Sequence, residues 1–218
     1  MPNMSVAIDG PAGAGKSSVS KALAKATGFS LLDTGAMYRA VTVAWLSDLS
    51  TDPSSTIDAV VTKHQISIAL DSGTTKAHLD GVDITDQLRR REVTANVSEV
   101  AASATIRKWA VQIQRSLVEG EDAQNRGVIL EGRDIGTTVL PNASHKFFLT
   151  ASEEVRAQRR AHEISANPNE ILEELRNRDG KDSSRSVSPL RIADDAIVID
   201  ASSLGIDDVV QIMLKELA

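Results

Sequence analysis

A glycine-rich segment near the start of the chain has the residue types that bind phosphate. Residues 10–17 (GPAGAGKS) match the pattern G-x-x-x-x-G-K-[S/T] and lie between an apolar run and a helical pattern. Glycines let backbone N–H groups curve around phosphate oxygens, and the following helix adds partial positive charge. Lys16 can reach the β- and γ-phosphates, and the Ser17 hydroxyl can ligate Mg²⁺. The predicted triphosphate site consists of Gly10, Pro11, Ala12, Gly13, Ala14, Gly15, Lys16, Ser17 and Ser18.

Switches, motors and kinases share this phosphate cradle, so other residues must distinguish among them. Guanine-nucleotide switches carry D-x-x-G and N-K-x-D segments. In this chain no glycine has an aspartate three residues before it, and no asparagine precedes a lysine. We therefore favour a kinase. A kinase for a phosphorylated acceptor needs a second anion site, for which the arginine fork is suited. Candidates at or near predicted element ends are Arg39, Arg107, Arg133, Arg178 and Arg185.

Alternating strands and helices are predicted to position these residues. Short apolar runs that are bounded by turn-forming residues predict buried parallel strands. Residues between the runs have helical spacing, and the last helix has apolar positions from Ile206 to Leu217. The pattern predicts an α/β fold, a central five-stranded parallel sheet with helices on both faces. The strand candidates are residues 5–8, 29–33, 127–132, 145–150 and 195–200.

One stretch departs from this alternation. Residues 65–85 alternate with a period of two, and reversals are indicated by Asp-Ser-Gly at 71–73 and Asp-Gly at 80–81. These features predict a small antiparallel β insertion in the α/β frame. The Ser-, Thr- and Pro-rich residues 49–56 are predicted to form a loop.

Length and composition limit the partners. The 218 residues are 41% hydrophobic and 25% charged, which is typical of a single domain spanning 1–218. Cysteine is absent and the four histidines lack ligand spacing, so neither disulfides nor a zinc site is expected. A net charge of −6 and 3% aromatic residues disfavour nucleic acid as a partner. Neither a signal sequence nor a spanning helix is predicted. We expect a cytoplasmic monomer that binds small nucleotides and no membrane.

Four segments are similar in order and spacing to the bacterial cytidylate kinases, a family of P-loop nucleoside monophosphate kinases. They are residues 8–24, 31–41, 131–141 and 176–190, and EGRDIGT is the most discriminating stretch. The resemblance covers nearly the whole chain. It implies phosphoryl transfer from ATP, with Mg²⁺, to CMP or dCMP. It also implies a P-loop kinase fold with a monophosphate-binding insertion at about residues 36–115 and a lid at about 152–185.

The resemblance also implies how the acceptor is bound. A pocket for cytosine needs a carboxylate facing the N4 amino group and donors facing N3 and O2. The resemblance assigns the first role to Asp134 and the second to Ser98 and Arg107. It implies catalytic roles in charge stabilisation for Lys16, Arg133 and Arg185. The implied contacts to the acceptor phosphate are Arg133 and Arg185, with Arg39 and Thr34 nearby. The implied contacts to the ribose are Arg178 and Asp182. Tyr38 either covers the sugar or base or packs in the core.

Several residues have a simpler interpretation when the resemblance is set aside. Ser98 is then a surface helix residue, and Arg107 and Arg89–Arg91 are solvated charges. The arginines at 156, 159 and 160 form either an exposed basic helix face or the start of a lid over ATP. Lys16 is expected to be an exposed loop lysine. Within the resemblance, Glu131 stands where the family often has aspartate, so any water-mediated contact with Mg²⁺ would come from a longer side chain.

Three other functions stay open at this point. A different kinase on the same fold would act on UMP, AMP or shikimate. A non-catalytic module would bind ATP without forming ADP, and a nucleic-acid-linked ATPase would be stimulated by RNA or DNA. A monophosphate is already an anionic nucleophile near neutral pH, since its second pKa is about 6. The predicted reaction therefore needs no general base, and none of the histidines is assigned a role.

Overall fold

The computed structural model describes residues 4–71, 74–124 and 126–217. Strands and helices alternate along this part of the chain, as the apolar runs predict. The strands are β1 (Ser5–Asp9), β2 (Ser30–Asp33), β3 (Ile66–Asp71), β4 (Thr74–Leu79), β5 (Val82–Asp83), β6 (Val128–Gly132), β7 (His145–Thr150) and β8 (Ile197–Asp200). The α-helices are α1 (Lys16–Thr27), α2 (Thr34–Thr51), α3 (Val60–Lys63), α4 (Arg91–Val100), α5 (Ala104–Ala123), α6 (Glu153–Ile164), α7 (Pro168–Ser184) and α8 (Ile206–Leu217).

The predicted five-stranded parallel sheet is confirmed. Its order is β2-β6-β1-β7-β8, and each neighbouring pair runs parallel. The central strand β1 places Ile8 opposite Glu131 of β6 and Phe147 of β7. Because all five strands point the same way, their carboxyl ends lie along one edge. That edge is where open α/β sheets bind their ligands.

Apolar side chains cover both faces of this sheet, which explains why its strands read as nearly continuous hydrophobic runs. One face packs against α1 and α8 and the other against α2 and α5. Fully buried members of the first core include Val6, Ile8, Leu23, Phe147 and Met213, and those of the second include Ala7, Leu32, Met37, Ile106 and Leu130.

The antiparallel insertion is also confirmed, as a three-stranded sheet of order β3-β4-β5. Its first reversal falls on Ser72 and Gly73, which lie outside the described residues. The second reversal uses Asp80 (φ 51°) and Gly81 (φ 82°), both in the left-handed region that tight hairpin turns require. The Oγ1 atom of Thr75 in β4 accepts a hydrogen bond of 2.9 Å from the backbone N–H of Asp33. The insertion therefore packs against the free edge of β2.

The predicted loop at 49–56 is wrong over its first three residues, because α2 continues to Thr51. Side-chain hydroxyls of Ser50 and Thr51 donate to carbonyls three residues earlier, which lets polar residues complete the last helical turn. The chain leaves the helix at Asp52. Within the described ranges, no helix is both long and apolar enough to cross a membrane.

A histidine joins the insertion to α2. The Nδ1 atom of His64 lies 2.7 Å from Oδ2 of Asp80, and its Nε2 atom lies 3.0 Å from Oδ1 of the buried Asp48. Lys63 also contacts Asp48. Hydrogen bonds to Asp80 and Asp48 raise the pKa of His64, because two carboxylates stabilise an imidazolium that donates from both nitrogens.

We predict that His64→Gln removes a pH-dependent part of the stability. A histidine whose pKa is raised by folding stabilises the fold fully below its unfolded pKa of about 6.5, and this contribution is lost as pH rises through the folded value. The difference in free energy of unfolding between wild type and variant should therefore be largest near pH 6 and shrink as the pH is raised above the unfolded pKa. Urea unfolding at several pH values measures it.

The control for this prediction is His162→Gln, at an exposed position of α6. Its stability difference from the wild type should not follow the same trend. A His64→Gln difference that is constant with pH, or that grows as pH rises, would contradict the charged bridge between Asp48 and Asp80.

Candidate active site

The predicted phosphate cradle connects β1 to α1 at the carboxyl edge of the parallel sheet. Gly10 is required by close packing, since a Cβ atom there would lie 2.0 Å from the carbonyl oxygen of Leu149. The Nζ atom of Lys16 donates to the carbonyl oxygens of Gly10 (2.9 Å) and Pro11 (2.7 Å). Lys16 is 7% exposed and is the first residue of α1, so the expectation of an exposed loop lysine is wrong.

Charged groups around Lys16 are also buried. Burial lowers the pKa of Lys16, and the positive charge of Arg133 lowers it further. Burial raises the pKa of Glu131, at the end of β6, and Asp33 raises it further. The Oε2 atom of Glu131 is buried and has no hydrogen-bond partner in the described part of the chain. An incoming phosphate group would therefore stabilise the charged form of Lys16.

Oxygen donors suited to Mg²⁺ lie beside this lysine. Ser17 is in the first turn of α1, and a hydrogen bond with it partly offsets the rise in the pKa of Glu131. Mg²⁺ prefers oxygen ligands and is often held by few protein groups together with substrate phosphates. The described residues contain no cluster of three or more acidic, histidine or cysteine side chains that could hold a metal by themselves. The donor set fits an ion that arrives with a nucleotide.

A π-helical turn, Ile135–Val139, follows β6, and the sequence patterns did not predict it. The N–H of Val139 donates to the carbonyl of Asp134 at 3.1 Å, and the N–H of Leu140 donates to that of Ile135 at 2.7 Å. The guanidinium of Arg115 in α5 donates to the carbonyls of Val139 and Thr138, both at 2.9 Å. Contacts from a distant helix therefore hold one end of this unusual turn.

Asp134, just before the turn, is paired with Arg107 of α5. The guanidinium donates to Oδ2 of Asp134 and, at 3.0 Å, to the carbonyl of Ala101. It also lies 5.3 Å from the ring centroid of Tyr38, a cation–π contact. Arg107 is 3% exposed, so its interpretation as a solvated charge is wrong. Tyr38 is 7% exposed and packs in the core, while Ser98 is half-buried on α4.

A second group of arginines surrounds the buried Asp182 of α7. The Nε atom of Arg133 donates to Oδ2 of Asp182 at 2.9 Å, and Nε of Arg185 donates to its backbone carbonyl at 3.1 Å. Burial lowers the pKa of Arg178 to about 10, and the neighbouring positive charge of Arg133 contributes to the shift. Arg133 and Arg178 both also lower the pKa of Lys16. These arginines therefore lie close to the phosphate cradle.

Positive charge exceeds negative charge in this group. The arginines at 107, 133, 178 and 185 form salt bridges or close charge contacts with the carboxylates of Asp134 and Asp182. In the described residues, Nε of Arg107, Nε of Arg178 and Nη2 of Arg185 are buried and have no hydrogen-bond acceptor. Buried polar groups are normally satisfied, and a buried guanidinium N–H without an acceptor is costly. The arrangement is that of an anion site.

Arg39 and Thr34, which the resemblance places near the acceptor phosphate, form hydrogen bonds with other parts of the chain. Arg39 donates to the carbonyl of Leu88 (3.0 Å) and to Oγ1 of Thr94 (2.9 Å), and burial lowers its pKa. The hydroxyl of Thr34 donates to the carbonyl of Glu131 at 2.7 Å. The structure thus brings Thr34 to the end of β6, whereas Arg39 is held toward α4. Arg89–Arg91 are exposed, as predicted.

The helices of the predicted lid contact the cradle through an ion pair in which Arg156 is buried and Asp179 is half-buried. Arg156 of α6 donates to the carbonyl of Ala12 at 2.9 Å and to Oδ2 of Asp179 in α7. Oδ1 of Asp179 accepts the N–H of Ala12 at 3.1 Å. Arg156 is 5% exposed, so an exposed basic face is wrong for this residue. Asp179 is not among the site residues predicted from the sequence, although it is the neighbour of Arg178, which is a predicted contact.

The amino-acid sequence matches the cytidylate kinase family model over residues 6–218. The chain belongs to the cytidylate kinase family. The cytidylate kinase of Streptomyces avermitilis is 47% identical over 215 residues, covering 97% of this chain and 91% of the relative. That of Halalkalibacterium halodurans is 43% identical over 220 residues, covering 98% and 97%. The resemblance that four segments indicate is thereby confirmed.

Solved structures support the kinase fold of this cytidylate kinase family member. A protein from Eubacterium ventriosum superposes with a TM-score of 0.54 at 12% identity, and the alignment covers 98% of each chain. The shikimate kinase of Bacteroides thetaiotaomicron superposes with a TM-score of 0.50 at 13% identity, again covering 98% of each. At such identities the likeness shows the fold alone.

We predict that Asp179→Ala destabilises this cytidylate kinase family member by about 3 kcal/mol, because it leaves the buried charge of Arg156 without its carboxylate. The matched control is Arg176→Ala, which breaks an exposed pair with Glu153 that joins the same two helices. Exposed pairs contribute little, so the control should stay close to the wild type. Urea unfolding measures both. Equal losses for the two variants would contradict a special role for the buried pair.

Proposed function

We propose that the protein transfers the γ-phosphoryl group of ATP to CMP or dCMP, giving ADP and CDP or dCDP. The observation that carries this proposal is the group of arginines around Asp134 and Asp182, in which three buried nitrogen atoms have no acceptor among the described residues and need an anion. Two members of the group, Arg133 and Arg178, also lie close enough to Lys16 to lower its pKa. An acceptor with its own phosphate supplies that anion. Membership of the cytidylate kinase family supports cytosine as the base.

For the donor, we assign the triphosphate of ATP to residues 10–18. Backbone N–H groups of the loop and the amino end of α1 favour negative charge there. Lys16 would exchange its bonds to the carbonyls of Gly10 and Pro11 for bonds to phosphate oxygens. Mg²⁺, held by Ser17 together with the phosphates and close to Glu131, would neutralise part of the charge on ATP.

For the acceptor, we assign the N4 amino group of cytosine to Asp134 and the ring acceptors to Arg107 and Ser98. Arg107 already contacts Oδ2 of Asp134, so the pair presents an acceptor and a donor side by side, as the cytosine edge requires. We assign the phosphate to Arg133 and Arg185. The remaining assignments are Arg178 and Asp182 to the ribose, and Thr34, Tyr38 and Arg39 to the walls of the acceptor site.

Catalysis in this proposal is placement and charge stabilisation. Two polyanions repel, and positive side chains must hold them in line for transfer. The acceptor phosphate attacks as an anion, so no residue needs to remove a proton. Lys16, Arg133 and Arg185 would offset charge that spreads over the transferred phosphoryl group. We propose that residues 152–185 act as a lid that excludes water and that residues 36–115 form the monophosphate-binding insertion.

The proposal extends to partners and location. All the assigned residues come from one chain, so a monomer can carry the complete site. A net charge of −6 and 3% aromatic residues favour small nucleotides over nucleic acid. ATP and CMP are nucleotides of the cytoplasm, and we place the enzyme there.

An acceptor panel tests the proposed function. ADP release from ATP and Mg²⁺ is measured with CMP, dCMP, UMP, AMP, GMP and shikimate, and we expect the highest kcat/KM with CMP or dCMP.

Lys16→Ala should lower kcat at least about 100-fold, because a charge that stabilises the transition state is removed. Lys215→Ala, at an exposed position of α8, is the control. Preference for another acceptor, or no turnover with any, would overturn the proposal.

A second prediction concerns the base. Asp134→Asn should lower kcat/KM with CMP about 10- to 100-fold more than with UMP, because the new amide can donate to O4 of uracil but no longer accepts from cytosine as a carboxylate does. The ratio of kcat/KM for the two acceptors is the measurement, since it cancels any general loss from weakening the contact with Arg107. Equal losses with both acceptors would show that Asp134 does not contact the base.

A further inference from the structure

A buried carboxylate joins the phosphate cradle to the π-helical turn. Asp9 is the last residue of β1, directly before Gly10, and it is 5% exposed. Its Oδ1 atom accepts the N–H of Ile135 at 2.9 Å, and its Oδ2 atom accepts the N–H of Gly136 at 2.8 Å. Neither donor belongs to a neighbouring strand of β1. Asp9 therefore connects two loops that are far apart in sequence.

These two N–H groups belong to the first residues of the turn, where a helix has no internal acceptors for its backbone donors. An ionised carboxylate can accept both at once, one on each oxygen. An asparagine of the same shape has one acceptor oxygen and would turn an NH₂ group toward the other donor. The side chain at position 9 must therefore be a carboxylate for both N–H groups to be satisfied.

The turn begins one residue after Asp134. Arg107 holds the carboxylate of Asp134, the N–H groups of Thr138 and Val139 hold its carbonyl, and Asp9 holds the N–H groups of the two residues that follow it. We propose that Asp9 is a positioning residue for base selection, which keeps Asp134 aligned with the cytosine edge. The inference rests on the proposed function and extends it to a residue outside the substrate contacts.

Stability alone does not explain a charged residue at this position. Burial raises the pKa of Asp9 to about 6, the two N–H groups and Lys16 lower it, and Asp134 adds to the rise. Lys146, whose stem lies near Gly136, directs its charge to Asp195 and the carbonyl of Pro141. An acid with a raised pKa contributes most to stability below its unfolded pKa, and the contribution is lost as pH rises through about 6. Ionised Asp9 at neutral pH is thus a cost to the fold.

The variant Asp9→Asn tests the proposal through selectivity. We expect the ratio of kcat/KM for CMP to that for UMP to fall about tenfold at pH 8, because a misplaced carboxylate no longer distinguishes the two bases. The KM for ATP should change by less than about twofold. The ratio is informative because CMP and UMP carry the same phosphate, so effects on phosphate binding cancel.

The pH dependence of the same ratio gives a second measurement that needs no variant to fold. In the wild type, the CMP to UMP ratio should decline as pH is lowered through about 6, since protonated Asp9 accepts only one of the two N–H groups. Asp9→Asn should give a low ratio that does not change over this range. Ionisation of the substrate phosphates cancels here as well.

Glu121→Gln is the matched control. Glu121 is a buried carboxylate that also binds two partners, Ser30 and Arg126, and it lies near the end of α5, outside residues 36–115 and outside all the assigned substrate contacts. We expect it to lower stability and leave the CMP to UMP ratio at the wild-type value. A selectivity loss of similar size in this control would mean that any buried carboxylate has the effect, and it would overturn the assignment to Asp9.

Other outcomes separate this inference from the proposed function. If the wild type selects CMP and Asp9→Asn keeps that selectivity, the inference is wrong and the function stands. Losses of equal size with CMP and UMP, or a wild-type ratio that is constant between about pH 5.5 and 8, also overturn it. If the wild type does not phosphorylate CMP, the proposed function itself fails, whatever the variant does.

Discussion

Buried positive charge at the carboxyl edge of the sheet is the constraint on which the rest of the site depends. A guanidinium removed from water is costly unless an anion compensates it, and like charges add to that cost. The positive charge of Arg133 contributes to lowering the pKa of Arg178, and both arginines lower the pKa of Lys16. Asp134 and Asp182 offset part of this charge. Binding of a phosphate group would therefore offset the free-energy cost of this buried positive charge.

The parallel sheet brings the charged residues of the site together at one edge. Strand ends place Asp9, Asp33 and Glu131 at one edge. The arginines come from α5 (Arg107), from the segment after β6 (Arg133) and from α7 and its carboxyl end (Arg178 and Arg185). Three of the arginines are held by a backbone carbonyl or a carboxylate. Arg107 holds Ala101 and Asp134, Arg133 holds Asp182, and Arg156 holds Ala12. The cations are positioned before any ligand binds.

The elements and the phosphate cradle could be predicted from the sequence because their signals are local. A run of apolar residues predicts a buried strand, and residues 10–17 carry a complete pattern within eight positions. The burial of Arg107 could not be predicted in this way, since its partner Asp134 is 27 residues away. The turn after Asp134 depends on Asp9, which is 126 residues from Ile135. Periodicity carries no information about such pairs.

Hydrogen bonds join the phosphate cradle to the two helices of the predicted lid. Asp179 accepts the N–H of Ala12, and Arg156 donates to the carbonyl of the same residue, so both backbone polar groups of this cradle residue are satisfied by α6 and α7. Apolar contacts from Ala157 and Leu175 surround that residue. A movement of α6 and α7 that breaks these contacts would leave a buried N–H and a buried carbonyl unpaired. Any movement of these helices relative to the loop would therefore require new hydrogen-bond partners for both groups.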